Sequence, residues 1–594
     1  MLRLQGVDEE FLFELARLKT GLGDEELRVA LEEFLANNSF DSVEKLAGEF
    51  VEWFDGVNRE RSAEEQSRRG IGFLYEQEKV KRAAAEKFGV ESFRSGQLET
   101  IKNIMTGHHT LLVMPTGSGK SLCYQLPAVL GRGVTLVISP LISLMKDQVD
   151  KMQGQGIAAA AINSSFSAAE QMKWIGAMQA GEYDLVYIAP ERLESSLFQQ
   201  SIVGTEVDLL AIDEAHCISK WGYDFRPAFR RIPEAWQKVG RPVLLATTAT
   251  ATPRVQQDIR QQLALPAMDI KVHGFNRPNL YFQAARVAEG RDKEELLQKT
   301  FEDFNEGSAI VYVGTRAEAE EISKMITEMT GLQTGFYHGG MGREERKEIQ
   351  KDFLNDRIPV MVATNAFGMG IDKADIRLVV HYRIPGSVES YYQEAGRAGR
   401  DGELARCLLI YCEDDLWLQH YFINNDAPEA GKLYKLYDLI RSSPPGSEEN
   451  PLPPGRSAHC DPGELCSSAG LNEIKLQTGL RLLEEAGWIE ELGRREGKQY
   501  IKIYSEDYLS LDRQVSKQQK RRKEKFRRLR KIVDYTADEA GCRREYILNY
   551  FGEAEFLKSE PCCDFCETVG EETQVCKKQE TESPPVSEPD YPIF

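Results

Sequence analysis

The chain has 594 residues and a formal net charge of −20, with 28% charged and 41% hydrophobic residues. That length exceeds what one hydrophobic core supports, so several domains are expected. The negative balance argues against a globally basic nucleic-acid binder, so any grip on phosphates has to come from local patches. No run of about 18 apolar residues occurs, and MLRLQGVDEEFLF at the start lacks the charged-then-apolar order of a leader. The expectation is a soluble, intracellular protein with no membrane partner. Eleven scattered cysteines, an odd number, suit reduced thiols better than a disulfide frame.

Three short amphipathic stretches come first: Phe11, Leu12, Leu15 and Leu18, then Leu27, Val29, Leu31 and Phe34, then Val43, Leu46, Phe50 and Trp53. Breaks at Gly21-Leu-Gly23 and Asn37-Asn-Ser39 separate them, so residues 1–75 read as a helical module. No catalytic constellation appears in it. It is either a docking module for a protein partner or a cap on the neighbouring lobe.

Thr110–Met114 is a short apolar β run, followed by the loop MPTGSGKS and a helix-compatible segment from Ser121 to Leu130. Backbone N–H groups of a Gly-rich turn that opens a helix bind phosphate oxygens, a lysine reaches the terminal phosphates, and a hydroxyl joins the Mg2+ shell. Thr116, Gly117, Ser118, Gly119, Lys120 and Ser121 supply those parts. The loop departs from the strict pattern, since Met114 stands where the first glycine belongs.

Val207–Ile212 is a near-continuous apolar run ending in Asp213 and Glu214 of a DEAH quartet, as when a buried parallel strand delivers acids to its C-terminal edge. Asp213 is placed to hold Mg2+ through water and Glu214 to accept a proton from an attacking water. A solvated acidic turn is the competing reading of the quartet alone, and the loop upstream weakens it. Directly behind, from CISKWGYDFRP on to Arg230, Trp221, Tyr223, Phe225 and Phe229 interleave with Lys220, Arg226 and Arg230. Such a set stacks unpaired bases and meets phosphates, unless the rings are core.

Val360–Thr364 is a further buried-strand run, and a second α/β lobe is its simplest host. In QEAGRAGRD, from Gln393 to Asp401, Arg397 and Arg400 lie three apart, so on a helix they share a face. Arginines of this kind stabilise charge on a transferring phosphoryl group.

Beyond this, the Pro/Gly/Ser-rich stretch Ser442–Gly455 reads as linker. Leu471–Ala486 has helical periodicity, and Trp488–Leu492, Gly493–Gly497 and Gln499–Tyr504 read as a hairpin, which suggests a winged helix with Arg494, Arg495 and Lys498 on the wing. It either binds DNA or is a plain protein-interaction wing. The basic run Arg513–Lys531 is helix-compatible and serves phosphate contact or a solvated face. Cys542 and the pair Cys563 and Cys566 have the spacing of a tetrahedral zinc site, with Cys562 or Cys576 as fourth ligand.

From Phe88 to Gly402 these motifs together resemble the RecQ family of DNA helicases within superfamily 2. The resemblance implies two tandem RecA-like lobes of a P-loop NTPase, an α/β architecture with an ATP site at a moving cleft. FGVESFRSGQ resembles the family's adenine-binding segment, which assigns Gln97 to the base edge and Arg94 to stacking on it. SPLISLMKDQV, from Ser139 to Val149, resembles motif Ia, CISKWGYDFRP the aromatic-rich loop, and FNRPNL, from Phe275 to Leu280, the inter-lobe linker. Thr248-Ala-Thr250 resembles the coupling motif, Thr364 and Asn365 a strand-contacting motif, Asp372 its ribose-side acid, and Gln393 a reader of the γ-phosphate. The chain departs from the family at Val90, Ser95 and Tyr223, where Tyr, Pro and His are usual. Glu560 replaces the outer cysteine of the zinc triplet. The module order also differs, with the winged-helix candidate ahead of the zinc segment, somewhat as in the RecQ-like four subgroup.

The expected organisation is a helical module over 1–75, lobe one over 76–280, lobe two over 281–425, a linker over 426–470, a winged-helix-like unit over 471–510, a basic helix with a zinc module over 511–570, and a disordered tail over 571–594. The cofactors implied are ATP, Mg2+ and Zn2+, and the partners single-stranded and forked DNA, for a monomer acting in the cytoplasm or on the chromosome, or in a nucleus if the host is eukaryotic. The activity implied is 3′ to 5′ translocation with duplex unwinding in repair or recombination. A duplex translocase that separates no strands and a nucleotide-switched DNA scaffold are the rival readings.

Overall fold

A computed structural model describes residues 76–569, apart from 141, 163–167, 196–197, 200–201, 220, 223–225, 369–370, 372, 445–454, 496, 505–507 and 554–561. The expected modules at 1–75 and 571–594 lie outside the described residues. The chain divides into two units, Met1–Arg277 with Met369–Asp372 and Leu548–Ala554, and Pro278–Gly368 with Lys373–Ile547 and Glu555–Phe594.

In the first unit, β1 (Thr110–Val113), β2 (Val134–Ile138), β3 (Ala159–Ile162), β4 (Leu185–Ile188), β5 (Val207–Ile212), β6 (Val243–Thr248) and β7 (Asp269–Val272) form one sheet in the order β3-β4-β2-β5-β6-β1-β7. Every pairing is parallel. β1, β2 and β4 are buried along their whole length, as continuous apolar runs are when helices cover both faces of a parallel sheet. The order sets β6 between β5 and β1, so the loops leaving β5 and β1 emerge at one C-terminal edge with β6 between them. The helix Leu122–Leu130 starts directly after the β1 loop and buries Leu122, Cys123, Tyr124 and Leu126 against this sheet.

The second unit holds β8 (Leu280–Arg286), β9 (Ser308–Tyr312), β10 (Thr334–Tyr337), β11 (Val360–Ala363), β12 (Ile376–His381) and β13 (Ala405–Tyr411), all parallel, in the order β10-β11-β9-β12-β13-β8. Its core includes Leu297, Phe301, Val311, Ile326, Val362 and Val380. The helix Arg316–Thr330 starts on a capping box, with Thr315 accepting from the Glu318 N–H and Glu318 reaching back.

The same unit contains a three-stranded antiparallel sheet of β14 (Ser457–Cys460), β15 (Ile489–Arg495) and β16 (Lys498–Ile503), ordered β14-β16-β15. The helices Ala430–Ser442, Pro462–Ala469 and Glu473–Glu485 pack on it around Trp488, which is fully buried with Leu436, Tyr437, Leu480 and Ile501. The helix and hairpin are therefore as expected, but the linker over 426–470 is corrected. Those residues include two helices and the strand β14, because Ala458 and His459 pair with Ile501 and Tyr500 and so complete the small sheet. The helix Tyr508–Tyr535 carries the basic run.

Candidate active site and metal centre

The phosphate-loop residues sit at the C-terminal edge of the first sheet. Gly117 and Gly119 have φ of 78° and 82°, left-handed backbone that glycine adopts without steric cost. At Gly119 a side chain would also collide, since its Cβ would stand 2.6 Å from Nε2 of Gln97. Lys120 Nζ donates to the carbonyls of Met114 and Pro115 at 3.1 and 3.0 Å, and Ser118 Oγ donates to Pro115 at 2.6 Å. Ser121 immediately precedes the helix Leu122–Leu130, where N–H groups and the helix dipole favour an anion. Arg277 donates to the Thr116 carbonyl at 3.3 Å.

Gln97, buried at the start of the helix Gln97–Met105, donates from Nε2 to the carbonyls of Ser118 and Gly119 at 3.2 and 3.1 Å, while its Oε1 accepts from the Arg94 N–H at 2.8 Å. The Arg94 guanidinium donates to the Gly117 carbonyl. Both residues thus brace the phosphate loop from behind.

Asp213 and Glu214 follow β5. Asp213 Oδ1 accepts from Thr247 Oγ1 and from the Glu214 N–H, each at 3.1 Å. Burial, then the neighbouring Glu214 charge, push its carboxyl up to about 6, with Lys120 pulling the other way. A divalent cation beside it would favour the ionised form. Glu214 adopts φ 50° and ψ 48°, a left-handed conformation that costs a non-glycine residue about 1–2 kcal/mol and that clusters at functional sites.

His216 is a contributor that motif reasoning alone does not single out. It is fully buried, and its Nδ1 lies 3.3 Å from the Glu214 carboxylate and 3.0 Å from Thr248 Oγ1. Thr248 closes β6, and its Oγ1 accepts from the Thr250 N–H at 3.3 Å. The acid quartet and Thr248-Ala-Thr250 are therefore one hydrogen-bonded assembly. The signal is present as the fourth letter of DEAH, but an apolar neighbourhood makes it look like a core histidine.

Of the aromatic-rich loop, Lys220, Tyr223 and Phe225 lie outside the described residues. Trp221 is half-buried with the Arg254 guanidinium carbon 3.5 Å from its ring centre, a close cation–π arrangement. Its N–H donates to Ser219 Oγ at 3.1 Å, and Ser219 donates to Asp258 at 2.6 Å, which ties the loop to the helix Pro253–Gln262. Arg226 donates to the Pro140 carbonyl at 3.1 Å. Phe229 is fully buried, so its expected place among base-stacking rings is corrected to a place in the core.

In the second unit, Gln393 lies on the helix Val388–Ala395, 8% exposed. That helix ends at Ala395, so Arg397 and Arg400 do not share a helical face as expected. They lie in the turn after it, where the Gly399 and Arg400 N–H groups donate to Ile376 and Ala374 at 2.9 and 3.1 Å. Gly399 has φ 54°, and a Cβ there would lie 2.4 Å from Nδ2 of Asn279. Arg397 is 3% exposed, and its charge opposes the rise of the buried Tyr312 phenol, which burial pushes up to about 12. Thr364 caps the end of β11, with its Oγ1 accepting from Ala366 at 3.4 Å, and Asn365 beside it is exposed. Asp372 lies outside the described residues.

Cys542, Cys562, Cys563 and Cys566 bring their sulfurs within 4.8 Å of one another, all buried. Contacts of 3.5 Å (Cys542–Cys562), 3.8 Å (Cys542–Cys563) and 3.5 Å (Cys563–Cys566) suit four thiolates on a tetrahedral ion, for which Zn–S bonds near 2.3 Å put sulfurs about 3.8 Å apart. Thiol donors from Cys542 and Cys562 hold Cys563 well below the usual thiol range. Cys562 takes the fourth corner, and Cys576 lies outside the described residues. The knuckle covers the open edge of the second sheet: the Cys562 carbonyl accepts from Phe282 at 3.4 Å and Asp564 from Ala284 at 2.9 Å. Arg544, 1% exposed, donates to the Leu280 carbonyl at 2.6 Å, and Arg543 to Tyr535 at 2.8 Å. In the first unit Phe551 stacks on Phe275 at 4.4 Å, and Glu553 accepts from the Phe275 N–H, which fixes the start of FNRPNL. Among the described residues no helix is long and apolar enough to cross a membrane.

Three families match the chain: DEAD/DEAH box helicase over residues 94–259, Helicase conserved C-terminal domain over 292–402, and RecQ zinc-binding over 505–567. The chain is 47% identical over 357 residues to the ATP-dependent DNA helicase RecQ of Bacillus subtilis, covering 60% of each chain. It is 32% identical over 494 residues to the "Probable ATP-dependent DNA helicase RecS" of the same organism, covering 82% of this chain and 92% of that one. The Haemophilus influenzae ATP-dependent DNA helicase RecQ is 42% identical over 344 residues, covering 58% of this chain and 55% of its own. The chain thus spans little more than half of the two proteins named RecQ and nearly all of RecS.

Proposed function

Since the chain belongs to the RecQ family of ATP-dependent DNA helicases, we propose that it hydrolyses ATP to translocate 3′ to 5′ along single-stranded DNA and to unwind duplexes, in repair or recombination. The observation that carries this reading is the assembly Glu214–His216–Thr248, which joins the acid for hydrolysis to the segment that bears Trp221 and Arg254. Occupancy of the aromatic loop by a strand would move Trp221 and the helix Pro253–Gln262 with it, and Thr248 transmits that shift to Glu214.

In this scheme Lys120 and the loop N–H groups bind the β- and γ-phosphates, Ser121 and Asp213 hold Mg2+, and Glu214 takes a proton from the attacking water. Mg2+ supplies charge neutralisation on the phosphate oxygens when bound. Arg397 and Arg400 provide cationic charge for the transferring phosphoryl group, and Gln393 reports its presence. Gln97 and Arg94 fix the loop and, with ATP bound, face the adenine. Asp372 takes the ribose side, while Thr364, Asn365, Trp221, Phe225 and Arg226 follow the strand. Cys542, Cys562, Cys563 and Cys566 would hold Zn2+, which would tie the C-terminal region to β8. Forked DNA is the working partner.

Strand displacement from 3′-tailed and 5′-tailed duplexes with ATP and Mg2+ tests the reading. Unwinding of the 3′-tailed substrate alone is expected. ATP turnover without displacement of either strand would replace it with a duplex translocase.

A further inference from the structure

The helix Asp415–Asn425 turns an unusual face outward. Trp417 is 71% exposed, Tyr421 47% and Phe422 49%, whereas Ile423 on the same helix is buried. Surface helices ordinarily present polar residues to water, so three adjoining exposed rings mark a surface with a partner. Trp417 and Tyr421 stand four apart and stack, with ring centres 5.8 Å apart and planes at 18°, which makes one continuous π surface.

The helix is a rigid base for it. Asp415 at its first turn is 1% exposed and accepts from Lys293 Nζ at 2.7 Å and from Arg383 Nη1 at 2.6 Å. At the other end it packs on the basic helix Tyr508–Tyr535, where His420 meets Phe526 edge-on at 5.3 Å.

That packing sets a cation at the end of each aromatic row. Trp417, Tyr421 and Asn424 are at i, i+4 and i+7, and Arg522 donates to Asn424 Oδ1 at 2.6 Å while lying 5.9 Å over the Phe526 ring. Phe422 and Asp426 are at i and i+4, and Lys525 pairs with Asp426 at 2.9 Å. Both cations keep contact with solvent, Arg522 as an exposed residue and Lys525 with 42% of its side chain accessible. Lys525 is balanced by Asp426, whereas Arg522 bonds to the neutral Asn424, so in a chain of net charge −20 it is Arg522 beside the rings that complements a polyanion with flat bases.

We propose that this face is a second binding surface for single-stranded DNA, with bases stacking on Trp417, Tyr421 and Phe422 and phosphates meeting Arg522. It rests on the DNA-translocase reading above, but assigns the strand a contact on the second unit that none of the motif residues supplies. Stacking on exposed rings is tolerant of sequence, as a translocase requires, because every base has a π face.

The test uses the full chain and a fluorescein-labelled thymidine oligonucleotide, with affinity read by anisotropy across a salt series. W417A/Y421A is expected to bind roughly tenfold or more weakly with unchanged thermal unfolding. W417F/Y421F retains affinity within about threefold, because the π faces remain. R522A lowers the slope of log affinity against log salt by roughly one unit. Wild-type affinity in W417A/Y421A would overturn the inference. So would full retention by W417L/Y421L, which would mark an apolar protein-docking face instead. Were the unmodified protein itself unable to bind the oligonucleotide, the DNA-translocase reading would fall with it, whereas loss confined to a failed effect of the substitutions leaves that reading standing.

Discussion

The two parallel sheets carry their functional groups in different ways. In the first, the groups sit on the strand ends themselves: the phosphate loop after β1, Asp213 and Glu214 after β5, and Thr247 and Thr248 on β6 between them. In the second, Gln393 lies in the last turn of a helix and Arg397 and Arg400 occupy a turn held by Gly399, whose N–H donates to Ile376 at the start of β12. The two acids are thus fixed by sheet topology and the two arginines by one tight turn. Damage to the first should therefore remove chemistry while leaving the fold intact, whereas the second is open to substitutions that alter backbone geometry alone.

The largest effect expected is on the cations. Arg400→Ala or Arg397→Ala should lower ATP turnover about 10³-fold or more, measured by phosphate release at saturating ATP. Turnover within tenfold of wild type would remove that arginine from the phosphoryl site. Glu214→Gln should rank next, with a loss of about 10²–10⁴-fold in kcat and little change in DNA affinity, since only the proton acceptor is lost. An unchanged kcat would move the base elsewhere. Gly399→Ala probes the comparison itself. Left-handed backbone costs about 1–2 kcal/mol for a non-glycine residue, and a Cβ 2.6 Å from the Glu403 backbone carbonyl oxygen adds to it. Turnover should fall well below wild type while the denaturation midpoint shifts modestly. Normal turnover would show that the turn does not set the arginines. Smallest on catalysis is Cys562→Ser, which should release zinc to a chromophoric chelator more readily than wild type and lower the melting temperature, with DNA-free turnover nearly intact. Zinc retention equal to wild type would exclude Cys562 as the fourth ligand.

How much is legible in the sequence divides along the same line. MPTGSGKS and DEAH are legible because an apolar strand run directly precedes each, so local sequence supplies both the strand and the chemistry at its end. The arginine turn reads as helix although Gly396, Gly399 and Gly402 signal a stop, because the three-residue spacing of the arginines mimics helical periodicity. Residues 426–470 are hidden for a different reason. Ser442–Gly455 has a linker's composition, yet β14 just after it finds its partner β16 some forty positions on, a non-local pairing that no local pattern encodes. His216 and the outward aromatic face at Trp417 escape because their meaning lies in what they pack against or fail to pack against.

Control of hydrolysis by strand binding through Trp221, Thr248 and His216 is tested most directly by steady-state ATP turnover without DNA and with saturating single-stranded DNA, for the wild type and Trp221→Ala. Strong stimulation of the wild type, lost in Trp221→Ala with the DNA-free rate preserved, is the predicted result; equal stimulation of both proteins would contradict it.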